Sequence, residues 1–373
     1  MAGRETRKAC AAAALLLLSA SIGAFAQEAP RAAADSDPGW RVTLESASQL
    51  DDASRTIVVS GTSDAHCAPQ FTRIARNDKG LAIHLAAATT GCDAARRAAF
   101  AVRIDFDALT GERLPPVVQP TWVYLDSAGD SRLVAFGVLD PTARETAPRP
   151  DNGFWWATSG DRETSLAGNG VSLESQGDRL AAGLLSFNEL GDSTWLFGSA
   201  PLIGRVAKIP LVQLVRGDSP FNPSGNRPLA EPGPRLELAL DGPTHAQAWL
   251  VRQRGDREVE VRELELARSA FAANPPGGAW RGRWVLVRDG ESNARVLDLQ
   301  DFSMADAETF RLFDAGAGVS LDCRMTAGTP VQQADFCMLS SAAQDIASFD
   351  QVGLDRLAGQ DEAGARVQLL RVR

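Results

Sequence analysis

The stretch Gly170–Phe187 reads GVSLESQGDRLAAGLLSF, and it decides the fold class. Apolar and polar residues alternate on both sides of the polar break Gln176–Asp178, which contains a glycine. Alternation with a period of two is typical of a half-buried β-strand, and a short break with glycine between two such runs is typical of a hairpin turn. The stretch therefore predicts two antiparallel strands joined at Gly177.

The same pattern continues through residues 151–272. A further turn is predicted at Leu190–Asp192, and the segment Trp249–Leu266 predicts a charged hairpin around Arg254–Asp256. Valines and leucines alternate there with arginines and glutamates, which gives each strand one buried and one solvated face. We expect an antiparallel meander of six to eight strands. Such a sheet removes its free edges by closing into a barrel or by folding into a sandwich.

Strand signals also fill the segments on either side. Residues 40–140 contain seven short β-prone runs, and seven strands in about 100 residues predict an immunoglobulin-like β-sandwich. Residues 279–373 predict a small β-rich domain with at most a short helix at 339–349. Linkers rich in proline or glycine are predicted at 141–150 and 273–278. The fold class is therefore all-β, with a sandwich, a central barrel or sandwich, and a small C-terminal domain.

The N-terminus has the pattern of a secretory signal peptide at residues 1–26. Basic residues precede a short apolar run that ends in the cleavage motif Ala24-Phe25-Ala26. The alternative is a membrane anchor, which the short run and its small final residues disfavour. Residues 27–39 predict a flexible mature N-terminus. We expect an exported protein, periplasmic or extracellular, with no membrane insertion of the mature chain.

Four cysteines remain after the signal peptide: Cys67, Cys92, Cys323 and Cys337. An even number in an exported chain predicts disulfides, and four cysteines allow three pairings. Pairing of neighbours, Cys67 with Cys92 and Cys323 with Cys337, closes two short loops without crossing domains and is preferred. A zinc site is disfavoured because the chain has no C-x-x-C motif and contains only three histidines. No metal site is predicted.

Charge and motifs exclude several classes of function. The net charge of −9 argues against a nucleic-acid partner and against attraction to anionic lipid. The chain has no Gly-x-Ser-x-Gly nucleophile motif, no phosphate-binding loop and no calcium loop. No catalytic residue and no cofactor are predicted. His84 lies within an alternating strand, which predicts a position on a solvated face.

The aromatic residues provide candidate binding positions. Adjacent residues on a strand face opposite sides, so one of Trp155 and Trp156 is expected in the core. The other is expected to be partly exposed, where it could stack on a sugar or a peptide. Glu174 falls on a predicted strand and is either a structural carboxylate or the first suspect for carboxylate chemistry. The candidate binding residues are Trp155, Trp156, Glu174, Gln176 and Trp195.

Three motifs in this region carry a resemblance. They are the segment Gly153-Phe154-Trp155-Trp156, the segment Leu173–Gly177, and the spacing from Gly191 to Trp195. Together they resemble a β-domain of exported xanthomonad-type bacterial proteins with the pattern Gly-x-Trp-Trp, Ile-Glu-x-Gln-Gly and Gly-x-x-x-Trp. The resemblance implies architecture rather than chemistry, because that family has no assigned activity. This chain departs from the pattern in the longer polar loop Ala157–Asn169. Segment 40–140 similarly resembles an exported bacterial sandwich module, in its Cys67-Ala68-Pro69 triplet.

Three classes of function remain. The first is a non-enzymatic exported β module for binding, adhesion or an accessory role, with a glycan or an envelope protein as partner. The second is a secreted hydrolase that uses carboxylates, with Glu174 examined first. The third is a structural envelope component with no small ligand. An exposed aromatic row on a concave surface would favour the first class, and two carboxylates in a cleft would favour the second.

Overall fold

The structure is a computed structural model that describes residues 41–45, 56–63, 69–86, 98–111, 117–127, 130–140, 148–157, 168–218, 221, 225–255, 258–269, 278–291, 293–325, 334–342 and 344–372. Strands dominate these residues, and no helix of seven or more residues occurs among them, which confirms the all-β class. The predicted signal peptide, the segment 27–39, and Cys67 and Cys92 lie outside the described residues. Those expectations stay predictions.

The N-terminal part is a sandwich of two sheets with the strand orders β1-β2-β5 and β3-β4-β6-β7. The elements are β1 Arg41–Glu45, β2 Thr56–Ser63, β3 Gln70–Asn77, β4 Gly80–Ala86, β5 Ala98–Asp105, helix α1 Phe106–Thr110, β6 Gln119–Ser127 and β7 Asp130–Leu139. Its core packs Ile57 and Ile104 of the first sheet with Ile83 and Val123 of the second. Strands β4 and β6 are parallel, whereas an immunoglobulin-like sandwich has antiparallel sheets. The chain crosses to the other sheet as β5 between them, and a parallel pair requires such a crossover.

The central segment is a closed antiparallel barrel of eight strands. The strands are β8 Gly153–Ala157, β9 Gly170–Gln176, β10 Arg179–Phe187, β11 Ser193–Ile203, β12 Val206–Val215, β13 Leu229–Leu240, β14 His245–Arg254 and β15 Glu258–Arg268. Each strand pairs with the next, and β15 pairs with β8, so the barrel has no free edge. Every second residue points inward, as Leu180, Ala182 and Leu184 do on β10. Gly177 forms the predicted turn with a positive φ of 62°.

The C-terminal part is a curled nine-stranded sheet, here called the C-terminal sheet, with the order β17-β16-β24-β23-β22-β21-β20-β19-β18. Its strands are β16 Gly282–Arg288, β17 Arg295–Leu299, β18 Asp301–Met304, β19 Thr309–Asp314, β20 Val319–Met325, β21 Ala334–Ser341, β22 Asp345–Val352, β23 Arg356–Gln360 and β24 Arg366–Arg371. A 3-10 turn at Gly278–Trp280 precedes them. Trp280, Trp284, Phe310 and Phe349 lie in its core.

Two expectations for the C-terminal sheet have different outcomes. Cys323 and Cys337 form the predicted disulfide between β20 and β21, with Cα atoms 4.1 Å apart. The short helix expected at 339–349 is wrong, because this segment forms the end of β21 and most of β22. Leu339, Ala347 and Phe349 are buried there, and ladder pairing on both sides overrides the local helix preference.

The sandwich packs on one side of the barrel, here called the covered wall. The covered wall consists of outward-facing apolar residues of β12–β15, namely Val206, Ala239, Trp249, Val251, Val259 and Val261. Phe136 of β7 packs on Trp249 with 5.8 Å between the ring centroids. The fully buried carboxylate of Glu237 accepts a hydrogen bond from Val138 N at 2.8 Å. All three parts belong to one compact unit.

Candidate binding surface

The barrel presents a second outer surface on β8–β11, here called the open wall. Its outward-facing residues alternate with the core residues of the same strands. Large apolar side chains are exposed on it: Trp156, Leu185, Phe187, Trp195, Phe197 and Ile203. Contiguous exposed apolar surface is uncommon on soluble proteins and marks an interaction site. The open wall is therefore the candidate functional site.

Strand register arranges these side chains in two rows that run across the strands. In the first row, Trp156 pairs with Gly170, Gly170 with Leu185, and Leu185 with Trp195. Trp156 and Trp195 are thus separated by three strand spacings, or about 14 Å along the wall. The second row runs parallel to the first and contains Phe154, Ser172, Gly183 and Phe197. Both rows end on aromatic residues.

Glycines in the middle of the wall make room for the rings. A Cβ atom at Gly183 would lie 3.2 Å from the indole nitrogen of Trp195, and one at Gly170 would lie 2.3 Å from Cζ of Phe154. The indole nitrogen of Trp195 therefore lies over the backbone of Gly183, and the tip of the Phe154 ring lies over the backbone of Gly170. Trp195 remains 59% exposed, so much of its indole faces solvent. This arrangement presents a preformed stacking surface.

A polar band lies beside the aromatic rows, towards the Gln176–Arg179 hairpin. Gln176 Nε2 donates a hydrogen bond of 2.6 Å to Glu174 Oε1. Arg179 Nη2 donates one of 3.3 Å to Ser199 Oγ. Glu174, Gln176 and Arg179 are all exposed on strands that also carry the aromatic rows. The open wall thus combines stacking surface with hydrogen-bonding groups that are already oriented.

The structure places four of the five candidate binding residues on the open wall. Trp156, Glu174, Gln176 and Trp195 face outward and are exposed. Trp155 does not belong with them, because its side chain is wholly buried in the barrel core. Its position on β8 points inward and Trp156 points outward, as the alternation of a strand requires. Their role in binding stays a prediction.

Part of the open wall was not predicted from the sequence. Phe154, Leu185 and Phe197 belong to the two rows, but none of them was named as a candidate. The alternation of β10 and β11 indicates that Leu185 faces the same way as Gly183, and Phe197 the same way as Trp195. The register between the strands, which brings these positions together, has no signal in the local sequence.

The expectation for His84 is wrong. Its side chain is buried in the sandwich, where its ring stacks on Tyr124 at 5.0 Å. His84 Nδ1 lies 3.1 Å from both carboxylate oxygens of Asp126. A hydrogen bond from Ser131, together with His84 and Arg73, holds the pKa of Asp126 below its usual value. The Ser131 hydroxyl donates to Asp126 rather than to His84, so the three residues do not form a nucleophile–base–acid relay.

Comparisons with known proteins identify no relative of this chain. No protein-family model, no curated protein and no solved structure matches this chain. The resemblance to exported bacterial β-domains therefore stays a prediction, and function has to be argued from the site.

Among the described residues no cluster of His, Cys, Asp and Glu side chains suits a metal ion. In the same part of the chain, no helix has the length and apolar character needed to cross a bilayer.

Proposed function

We propose that the protein is a non-enzymatic binding module that holds an extended, uncharged polysaccharide against the open wall. The observation that carries the proposal is Trp195, which lies across Gly183 and keeps 59% of its surface exposed. A sugar ring has a face of C–H groups that stacks on an aromatic ring. A rigid tryptophan offers that contact at a small loss of conformational entropy.

The polar band supports a carbohydrate ligand. Sugar hydroxyls lie at the edge of the ring, beside any stacking contact, and both donate and accept hydrogen bonds. The carboxylate of Glu174, the amide of Gln176 and the guanidinium of Arg179 offer both kinds of partner next to the aromatic rows. The net charge of −9 disfavours a polyanionic chain.

The shape of the wall favours a polymer. The open wall is the outer surface of a barrel, so it is flat to convex rather than the concave surface that the sequence analysis associated with a binding module. A short oligosaccharide needs a groove that surrounds it. An extended chain gains affinity from contacts spread along its length, and the aromatic row from Trp156 to Trp195 offers such spread contacts.

The covered wall provides an internal comparison with a permanent protein interface. Its residues are mainly valine and alanine, and they are buried against the sandwich. The open wall instead combines tryptophan and phenylalanine with glycine, serine and charged residues. Obligate protein interfaces are more apolar than exchangeable ones, so the charged and polar side chains among the open-wall rings suit a ligand that binds reversibly. This contrast favours a glycan over a tightly bound envelope protein.

Co-sedimentation with insoluble neutral polysaccharides, followed by affinity measurement, tests the proposal. We expect Trp195→Ala and Trp156→Ala each to weaken binding about tenfold or more, as the loss of an aromatic hot-spot residue does. Phe313→Ala, an exposed ring on the C-terminal sheet, is the matched control and should bind as the wild type does. Unchanged binding in both tryptophan variants would overturn the proposal. Retention of an envelope protein by the same surface, with no glycan bound, would also overturn it.

The hydrolase alternative has a separate test. Glycosidases hold their substrate between two carboxyl groups about 5–9.5 Å apart in a cleft. Glu174 instead lies exposed on an outer wall, with the Gln176 amide bound to it. Release of reducing sugar that disappears in Glu174→Gln would replace the binding proposal. Binding without turnover in both proteins would agree with it.

A further inference from the structure

One carboxylate joins the central barrel to the C-terminal sheet. Asp151 lies just before β8, and its Oδ2 accepts a hydrogen bond from the backbone N–H of Leu354, in the turn between β22 and β23. Gly353 makes this approach possible, because a Cβ atom there would lie 2.5 Å from Asp151 Oδ1. The contact is therefore built on both sides, by a carboxylate on one part and a glycine on the other.

Two buried tryptophans fix the two halves of this joint. Trp155, in the barrel core, donates from its indole nitrogen to the backbone oxygen of Asp151 at 3.1 Å. Trp280, in the core of the C-terminal sheet, donates to the backbone oxygen of Gly353 at 2.8 Å. Both indoles are almost wholly buried. Each half of the joint is thus hydrogen-bonded to a core residue of its own part.

The joint contains several charged residues, most of which are half-buried beside the buried Gly353 and Leu354. Asp355 and Arg356 face Asp151 from the C-terminal sheet, Arg268 faces it from β15, and Arg149 lies beside Arg356. Burial raises the pKa of Asp151 to about 6. The Leu354 hydrogen bond, Arg268 and Arg356 act to lower the pKa of Asp151, and Asp355 acts to raise it further. Burial also lowers the pKa of Arg356. The arginines thus compensate only part of the cost of an ionised Asp151.

We propose that this joint is an acid-tightened clasp, which docks the C-terminal sheet firmly on the barrel while Asp151 is protonated and loosens when the proton leaves to solvent. The sign follows from linkage. The pKa of Asp151 in the folded protein lies above its usual value of 3.8, so the folded state holds more protons between the two values. Docking therefore strengthens as the pH falls through about 6, and it weakens as the pH rises through the same value.

Hydrogen exchange on the full-length protein tests the clasp directly. The measured quantity is the protection factor of the Leu354 amide, which removes the intrinsic pH dependence of the exchange reaction. We expect it to fall about tenfold or more as the pH rises from 5 to 7. The Gly353 amide is the internal control. It donates to Arg356 O within the same hairpin and should keep its protection. Equal protection of Leu354 at both pH values would overturn the proposal.

Two variants make the test specific to one carboxyl group. Asp151→Asn has no proton to lose, so we expect a Leu354 protection factor that is the same at pH 5 and 7. Asp350→Asn replaces an exposed carboxylate of β22 and should behave as the wild type does. If Asp151→Asn does not fold, selective ¹⁵N-leucine labelling of the wild type still decides. The Leu354 amide shift must titrate with a midpoint near 6. A shift that stays flat across this range would also overturn the proposal.

Discussion

At the scale of single residues, Trp155 and Trp156 lie in opposite environments because they are neighbours on one strand. Trp155 is wholly buried, and Trp156 is 40% exposed. We expect Trp155→Ala to lower the free energy of unfolding by about 3–5 kcal/mol, since it leaves a cavity in the barrel. Trp156→Ala should change it by less than about 1 kcal/mol. Urea midpoints measure both, and similar losses in the two variants would contradict the assignment of faces.

Gly170 tests whether the position of a ring matters separately from its presence. An added Cβ at this position would strike the tip of the Phe154 side chain, which can rotate away at little cost to the fold. We expect Gly170→Ala to weaken polysaccharide binding several-fold. The free energy of unfolding, measured by urea denaturation, should change by less than about 1 kcal/mol. Gly242→Ala, whose Cβ would meet open space, is the matched control. Equal affinity of both variants would show that Phe154 does not contribute.

At the scale of elements, alternation predicted β9–β11 well, because the inward face of each of these strands is buried and the outward face is exposed. Helix preference misled at 339–349, where Ser340, Ala342 and Ala343 have no strong strand preference. Partners on both sides of β21 and β22 decide the conformation there. Pairing with distant strands is a tertiary effect, so a local window of sequence does not contain it.

The disulfide between β20 and β21 should stabilise the C-terminal sheet. Cys323 and Cys337 are directly opposed in the ladder, 14 residues apart in sequence and wholly buried. Closing a loop of this size stabilises a protein by about 3 kcal/mol, mainly by restricting the unfolded chain. We expect the double variant Cys323→Ala, Cys337→Ala to lose about 2–4 kcal/mol in chemical denaturation. A wild type that is equally stable with and without reductant would contradict this expectation.

Asp314, the last residue of β19, holds β19 and β17 together. Its carboxylate accepts hydrogen bonds from Asp298 N at 2.7 Å and Ala317 N at 2.9 Å. Burial acts to raise the pKa of Asp314, but the backbone donors outweigh it and hold the pKa below its usual value. The stability that ionised Asp314 contributes is therefore present above pH 3.8 and is lost as the pH falls through the lowered pKa.

Asp314→Ala is the corresponding variant. It leaves the partly buried N–H groups of Asp298 and Ala317 without their acceptor, so we expect a loss of about 1–2 kcal/mol at neutral pH. The difference from the wild type should begin to shrink below about pH 4, where the unfolded chain takes up the proton. It should vanish once the pH is below the lowered pKa of the folded carboxylate. Thermal unfolding at several pH values measures the gap. A gap that widens on acidification would contradict the role given to the carboxylate.

At the scale of the whole molecule, the sequence predicted three modules but not their packing. The sequence of β14 contains a signal for the covered wall. Its run from Ala246 to Val251 is apolar on both faces apart from Gln247. A strand that is apolar on both faces indicates burial on both sides. A barrel core explains the inward face, and the sandwich explains the outward one. Which surface covers the outward face depends on the meeting of distant segments, which sequence alone does not specify.

Glu237 is the polar centre of that packing. It accepts from Val138 N and from Arg235 Nε, each at 2.8 Å, and Arg235 also donates to Phe136 O. Glu237→Ala leaves the buried Val138 N–H without its acceptor and leaves Arg235, whose side chain is 40% exposed, without its partner, so we expect a cost of about 1–3 kcal/mol. Glu237→Gln keeps an acceptor for Val138 and should cost less. Glu263→Ala, an exposed residue of β15, is the control.

Calorimetry of the same variants shows whether the interface makes the sandwich and the barrel unfold together. The wild type should melt the two in one transition, because their cores share the covered wall. Glu237→Ala weakens that shared surface without altering the inward-facing core of either part, so the sandwich should melt at a lower temperature, as a separate transition. Separate transitions already in the wild type would mean that the covered wall couples the two parts too weakly to matter. The sandwich and the barrel would then be separate domains, divided at the linker 141–150 that the sequence predicts.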